Sequence, residues 1–389
     1  MQTDTWDSQM QAGTDRIRSE GVVIVADDLT GACDSGVAFA RSGRTVRVVL
    51  DAASFDFASL PRTGVQGECG VLAFTTETRD LLPQQAEERI ADCVAALRAG
   101  LPRAIVFKKI DSAARGHFGL EISAALRASG ADLALVAPAF PEAGRTVEAG
   151  VLRVRDWSGQ DAVSSLRDLF VHEGSNAIEV LPAGCERELE QGIARALSRG
   201  TRILLCDAVM QADLEQLAAV ALRMQQRILW AGSAGLAHAL AGLLSACSPP
   251  AATRCTNRHG RTLLFVGTTH PVTSLQVSHL AQMPGGMDRT IHYVPCDGAS
   301  QQEIVAAFAA EPVAALILTG GDTAAFVLRA LGASSIVLAG EIARGVPWGF
   351  IEGGMADGCA VVTKSGGFGH RDALVHAFEF CERRACEPA

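Results

Sequence analysis

Two adjacent carboxylates, Asp27 and Asp28, directly follow five apolar residues at 22–26. A turn of small residues then leads into a helix-like stretch at 32–41. Ligands of open α/β sheets sit at the carboxyl ends of the strands, where helix N-termini offer unpaired N–H groups to anions. This position is therefore suited to a phosphate group, a metal ion or a general base.

A second set of polar side chains lies in two other segments, 107–116 and 136–146, each at the end of an apolar, strand-like run. The first segment holds Lys108, Lys109, Asp111, Ser112 and Arg115, and the second holds Glu142, Arg145 and Thr146. A polyhydroxy acid needs this mixture, because a cation binds its carboxylate while carboxylates and hydroxyls bind its hydroxyl groups. The alternative, a surface salt-bridge cluster, is less favoured because these charges follow strongly apolar strands at the edge where ligands bind.

Two glycine-rich turns lie near the C-terminus, each between an apolar run and a helix-like run. They contain Gly320, Gly321, Asp322 and Thr323 in the first turn, and Lys364, Ser365, Gly366 and Gly367 in the second. Glycines let the backbone approach a phosphate, and the helix start supplies N–H donors. We favour a nucleotide cradle over two merely tight turns, although neither turn is a Walker A loop. Asp322 is suited to binding magnesium, accepting a hydroxyl proton or capping the helix.

Strand-like and helix-like runs alternate along the chain, which predicts an α/β fold. A stretch rich in Pro and polar residues at 246–261 interrupts the pattern, and we interpret it as a linker. The sequence therefore predicts two domains, 21–245 and 262–389, each with a largely parallel sheet flanked by helices. We expect the active site in the cleft between them, and a flexible extension at 1–20.

Composition limits the classes of function. The net charge of −9 argues against nucleic acid or an anionic membrane as a partner. The 11 cysteines form no CxxC pair, which favours a reduced, cytoplasmic protein over a disulfide framework. No apolar run reaches the length of a membrane span.

Six motifs occur in the order of one known family: ADDLTGACD, KKIDSAARG, APAFPEAGR, TGGDTAA, GEIARGVPWG and KSGGFG. The chain resembles the four-carbon acid sugar kinases over about residues 21–380. The resemblance implies a sugar-acid-binding N-terminal domain, a nucleotide-binding C-terminal domain, and ATP-dependent phosphorylation of threonate, erythronate or a 3-oxo-tetronate, with Mg²⁺. By position, the family's ATP contacts would fall on Thr268, where the family pattern has serine, and on Gly320, Gly321, Asp322, Thr323 and Gly366.

The mechanistic hypothesis is in-line transfer of the γ-phosphoryl group to a terminal hydroxyl of the sugar acid. Asp28 or Asp27 would deprotonate the hydroxyl, Lys109 and Arg145 would bind the carboxylate, and Arg115 the hydroxyls or the transferred group. Asp322 would be a magnesium ligand or, in a rival assignment, the base.

The protein could form a homodimer. Two other classes of function also remain open. Segments after Gly150 and between Thr268 and Gly320 are shorter than is common in the family, so the chain could be a nucleotide and sugar-acid sensor without turnover. A phosphosugar isomerase or aldolase using the GSAG turn at 232–235 is the third reading.

Overall fold

The computed structural model describes residues 21–52, 55, 70–155, 159–171, 177–244, 258–283, 290–294 and 301–386. The predicted extension at 1–20 and most of the predicted linker, 246–257, lie outside these residues. Within them, no helix is long and apolar enough to cross a bilayer.

Strands and helices alternate through the N-terminal half. Its strands are β1 (Val22–Ala26), β2 (Val46–Val49), β3 (Val71–Thr75), β4 (Ile105–Lys109), β5 (Leu133–Ala137), β6 (Arg145–Glu148), β7 (Val151–Arg155), β8 (Asp161–Ser165), β9 (Ile178–Leu181), β10 (Ile203–Cys206) and β11 (Ile228–Gly232). Its helices are α1 (Leu29–Arg41), α2 (Pro83–Gly100), α3 (Phe118–Ser129), α4 (Glu186–Ser198), α5 (Gln211–Leu222) and α6 (Ala234–Leu243).

The C-terminal half repeats the alternation. Its strands are β12 (Arg261–Val266), β13 (Thr290–Tyr293), β14 (Val313–Thr319), β15 (Ser335–Ala343), β16 (Val346–Glu352) and β17 (Ala360–Lys364). Its helices are α7 (Pro271–Gln282), α8 (Gln301–Ala309), α9 (Gly321–Ala330) and α10 (Ala373–Cys386).

One large sheet runs through both halves. In the described residues its strand order is β13-β12-β14-β17-β16-β15-β2-β3-β1-β4-β11-β5-β10-β9. The pairs from β2 to β9 are parallel, as are those linking β13, β12, β14 and β17. Every residue of β1, β3, β5 and β14 is buried, which is why these strands are continuous apolar runs without alternation. The predicted α/β fold with largely parallel sheets is confirmed.

The join between the halves is the hairpin of β15 and β16, which was not predicted. β15 pairs antiparallel with both β2 and β16, and β16 pairs antiparallel with β17. The parallel strands β12, β13, β14 and β17 therefore run opposite to the N-terminal strands of this sheet, whereas β16 runs in the same direction as those strands. Register shifts after Leu338 and Glu341 disturb the apolar alternation that would have indicated a hairpin.

A second sheet, the antiparallel meander of β6, β7 and β8, was also missed. Four of the five residues of β8 are exposed, so this strand has no apolar face for a periodicity argument to detect. The meander begins at Arg145, so Arg145 and Thr146, which were predicted to lie in an acid-binding loop, belong to a strand.

Candidate active site between the two halves

Asp28 caps the N-terminus of α1. Its Oδ1 accepts a hydrogen bond from the Gly31 amide at 2.7 Å, and its Oδ2 accepts one from the Thr30 hydroxyl at 2.9 Å. The cap therefore stabilises the start of α1 and holds the carboxylate of Asp28 in one orientation. Asp27 is equally buried, but its Oδ1 has no hydrogen-bond partner in the described part of the chain.

The Arg79 guanidinium connects the carboxylates that follow β1 and β4. It lies 2.8 Å from Asp28 Oδ2, 2.7 Å from Asp27 Oδ2 and 3.4 Å from Asp111 Oδ2. Sequence reasoning missed Arg79, although a signal was present: the polar run 76–80 directly follows the buried strand β3, which pairs with β1. The strand-end rule that selected Asp28 would have selected Arg79 as well.

These contacts move the pKa values of the two adjacent carboxylates in opposite directions. Burial acts to raise the pKa of Asp28, but Arg79 and Lys109 outweigh it and hold that pKa below its ordinary value. Burial and the charge of Asp28 raise the pKa of Asp27. Asp28 is therefore the member of the pair that ionises at the lower pH.

Strand alternation sends the two lysines of β4 to opposite faces of the sheet. Lys108 Nζ lies 2.8 Å from Glu121 Oε2 of α3, and both side chains are buried, so Lys108 belongs to the packing of the first half. Lys109 Nζ has no carboxylate oxygen within 4.0 Å among the described residues. It faces a cavity that Asp28 also lines.

This cavity, called the β1 cavity, has a volume of about 30 Å³. The N-terminal half contributes Asp28, Asp34, Arg79, Lys109, Ser112 and Arg115, and the C-terminal half contributes Thr363, Ser365 and Phe368. Such a volume holds only one or two water molecules. A larger ligand can enter only if the walls from the two halves move apart.

The predicted acid-binding residues of the segment after β4 come together at this cavity. Lys109, Asp111, Ser112 and Arg115 all line it, and Arg115 Nη2 lies 2.6 Å from Asp111 Oδ2. Burial acts to raise the pKa of Asp111, but the Arg115 hydrogen bond and charge overcome it and lower that pKa.

A second cavity of about 660 Å³, called the cleft cavity, adjoins the first. Both glycine-rich turns line it, together with Glu77, Asp80 and Val294. Of the residues predicted to bind the nucleotide, it is lined by Thr268, Gly320, Gly321, Asp322, Thr323, Gly366 and Gly367. Asp28, Arg79, Arg115 and Ser365 line both cavities, whereas Asp27 lines neither.

The first glycine-rich turn contacts Asp28 across the cleft. Gly320 has a φ of 96°, a left-handed conformation that favours glycine, and its amide donates to the Lys364 carbonyl at 2.8 Å. A Cβ on Gly321 would lie 2.7 Å from Asp28 Oδ2. The N-terminus of α9 is therefore aimed at the carboxylate of Asp28.

Lys364 is fully buried beneath the second glycine-rich turn and does not line the cleft cavity. Its Nζ donates to Thr273 Oγ1 at 3.0 Å and to the carbonyl oxygens of Ser365 and Phe368 at 2.9 and 3.3 Å. Burial lowers its pKa to about 7. Lys364 holds the turn in shape, and direct binding of a phosphate by Lys364 stays a prediction.

Three carboxylates face the cleft cavity beside Asp28. Burial raises the pKa of Asp322, and the charges of Asp80 and Asp28 raise it further. Glu77, which sequence reasoning missed, has a left-handed φ of 49°, and burial raises its pKa to about 7. Three arginines, Arg79, Arg115 and Arg329, line the same cavity as these carboxylates, and binding of Mg²⁺ by Asp322 stays a prediction. In the described residues no three His, Cys, Asp or Glu side chains form a ready-made metal site.

Arg145 and Thr146 line neither cavity. The Arg145 guanidinium donates to the Ala143 carbonyl and lies 5.3 Å from the ring centroid of Phe368. It therefore stands behind the wall of the β1 cavity. Glu142 lies 2.5 Å from Arg344 Nε of the β15–β16 turn and so helps to hold the two halves together.

The GSAG turn packs against its neighbours. Ser233 caps α6 and its hydroxyl donates to the Ala139 carbonyl at 2.8 Å. A Cβ on Gly235 would lie 2.5 Å from the same carbonyl. The turn therefore packs closely against a neighbouring loop, and its Ser233 also lines the β1 cavity.

Two family models match separate parts of the chain. Residues 22–240 match the model of a sugar-binding N-terminal domain, and residues 298–374 match that of a nucleotide-binding C-terminal domain. A D-threonate kinase of Bordetella bronchiseptica is 33% identical over 93% of this chain and 97% of its own length. A D-threonate kinase of Cupriavidus necator is 29% identical over 92% of this chain and 97% of its own length.

A solved structure from Salmonella typhimurium, described as a putative tRNA synthase, shares the fold. Its TM-score is 0.68 at 20% identity, and the match covers 92% of this chain and 98% of that one. With the sequence matches and the two adjoining cavities, the chain belongs to the four-carbon acid sugar kinase family, which joins a sugar-binding N-terminal domain to a nucleotide-binding C-terminal domain.

Proposed function

We propose that the protein transfers the γ-phosphoryl group of ATP to the terminal hydroxyl of a four-carbon sugar acid, with D-threonate as the first substrate to test. The observation that carries this proposal is the position of Asp28, which lines both the β1 cavity and the cleft cavity. D-threonate comes first because the relatives from Bordetella bronchiseptica and Cupriavidus necator are named D-threonate kinase.

The sugar acid would bind in the β1 cavity with its carboxylate on Lys109 and its terminal hydroxyl on Asp28. Lys109 is suited to this role because its ammonium reaches the cavity without a carboxylate partner among the described residues. Asp28 is held by α1 and Arg79, so it can accept the hydroxyl proton without rearranging. Arg115 lines both cavities and would stabilise the charge of the transferred group.

ATP would occupy the cleft cavity with its phosphates on the two glycine-rich turns. The N-terminus of α9 would direct the γ-phosphate towards Asp28, because Gly321 already lies against that carboxylate. Asp322, with Asp80 beside it, would hold Mg²⁺. When bound, Mg²⁺ neutralises phosphate charge, and such sites use one or two carboxylates together with the phosphates and water.

Closure of the two halves would be part of the reaction. The β1 cavity is too small for a four-carbon acid and takes walls from both halves. Acid binding would therefore need the halves to separate, and reclosure would exclude water from the transfer. Because ATP is the donor, we expect the protein to act in the cytoplasm.

The test is an ADP-release assay with ATP, Mg²⁺ and a panel of four-carbon acids: D-threonate, D-erythronate and 3-oxo-tetronate. Activity that depends on both the acid and Mg²⁺, and that Asp28→Asn abolishes, supports a kinase. If no acid releases ADP while several raise the melting temperature, the protein is a sensor and the proposal is wrong.

A further inference from the structure

One carboxylate that lines the β1 cavity, Asp34, takes no part in the binding and catalytic roles proposed above. Asp34 lies in the second turn of α1, four residues after Thr30 and on the same face of the helix. Asp34 is half-buried and lines the cavity, and its buried Oδ1 has no hydrogen-bond partner in the described parts of the chain. Packing of the fold therefore does not explain this side chain.

The charges around Asp34 limit what can satisfy it. Lys109 favours its ionised form, as does Arg344, whereas Glu341 and Asp28 oppose it. No cation lies within 4.0 Å of its oxygens among the described residues. Burial is the largest influence and raises the pKa of Asp34 to about 6. A buried oxygen in this state gains most from a hydrogen-bond donor that arrives with a ligand.

A neutral hydroxyl fits this position better than a metal ion. The same cavity already contains the Lys109 ammonium and the guanidinium groups of Arg79 and Arg115. A further cation would meet their repulsion, whereas a hydroxyl donates a hydrogen bond without adding charge.

We infer that Asp34 is a specificity-determining residue, whose Oδ1 accepts a hydrogen bond from a secondary hydroxyl, at C2 or C3, of the sugar acid. This inference rests on the proposed function. With the carboxylate on Lys109 and the terminal hydroxyl on Asp28, Asp34 offers the middle of the carbon chain a carboxylate oxygen that no group in the described residues already occupies. Acids without that hydroxyl would leave Asp34 buried and unpaired, and would therefore be poor substrates.

The experiment compares wild type and Asp34→Ala on three acids: D-threonate, 3,4-dihydroxybutanoate, which lacks the C2 hydroxyl, and 2,4-dihydroxybutanoate, which lacks the C3 hydroxyl. We expect the variant to lose roughly 10- to 100-fold in kcat/KM on D-threonate, the usual cost of a hydrogen bond to a charged group. With one of the two deoxy acids, wild type and variant should agree within about threefold, because the bond is already absent.

Three controls keep the result interpretable. Ser35→Ala removes the neighbouring buried hydroxyl of α1, which does not line the cavity, and should leave all three kcat/KM values unchanged. KM for ATP should stay constant in Asp34→Ala. If that variant does not fold, Asp34→Asn, which keeps an acceptor oxygen without the charge, should show a smaller loss with the same dependence on one hydroxyl.

An equal loss on all three acids, or no loss on D-threonate, overturns the inference. Failure of the proposed function looks different, because wild type itself would then release no ADP with any acid.

Discussion

Asp28 and Gly321 come from opposite halves of the chain and leave no room for a methyl group between them, since a Cβ at 321 would lie 2.7 Å from Asp28 Oδ2. Asp28 follows the central strand β1, and Gly321 begins the helix after β14. The carboxylate that would take the proton and the helix N-terminus that would hold the phosphates thus form one contact.

Gly321→Ala should therefore reduce kcat/KM for the sugar acid by at least about tenfold, because the methyl group pushes α9 away from Asp28 and misaligns the two substrates. The melting temperature should change little, since alanine is favoured over glycine in a helix. Gly242→Ala is the matched control, because a Cβ there has nothing within 4 Å. Wild-type activity in Gly321→Ala would mean that the halves do not close in this way during catalysis.

Neutral substitutions at Asp28 and Asp322 should change different kinetic constants. Asp28→Asn should lower kcat by about 100-fold or more and leave KM for ATP nearly unchanged, as loss of a general base does. Asp322→Asn should mainly raise KM for ATP, and added Mg²⁺ should recover part of the loss. Steady-state kinetics with each substrate varied measures both effects. The reverse pattern would make Asp322 the base.

Arg79→Lys should shift the acid limb of the pH profile of kcat/KM to higher pH. Lysine keeps the charge but cannot contact Asp27, Asp28 and Asp111 together, so the pKa of Asp28 rises and a higher pH is needed to ionise it.

Arg223→Lys is the matched control for this shift. Arg223 also contacts two carboxylates, Glu186 and Glu190, but lies outside both cavities. Its pH profile should coincide with that of wild type. An unchanged limb in Arg79→Lys would remove Arg79 from the control of Asp28.

Sequence reasoning found the site residues whose role depends on local order along the chain. Asp28, Lys109 and Asp111 directly follow apolar strands, so the strand-end rule located them without knowledge of the sheet. Arg79 reaches the carboxylate of Asp28 because β3 pairs with β1. This strand order is known only from the folded sheet.

Burial and side-chain direction could not be predicted from the sequence either. The residue type of Lys364 suited a phosphate, but the sequence did not show that its ammonium turns into its own loop. Asp34 appears in the sequence as one polar residue of a helix, and only its unpaired buried oxygen distinguishes it. The β15–β16 hairpin was missed because its pairing partner, β2, lies in the other half of the chain.

Glu77 should make the unfolding free energy depend on pH between about 4.5 and 7. Burial raises its pKa from 4.5 to about 7, so over this range the folded state keeps a proton that the unfolded state has lost. Stability from this group is therefore complete below pH 4.5, falls as pH rises, and levels off above 7.

Glu77→Gln carries no charge at any pH. Relative to wild type it should gain about 3 kcal/mol between pH 4.5 and 7.5 in urea titrations. Glu215→Gln, an exposed carboxylate of α5, should follow the wild-type curve. Parallel curves for wild type and Glu77→Gln would show that Glu77 keeps its ordinary pKa in the folded protein, and so is ionised at neutral pH as a further anionic group beside Asp322.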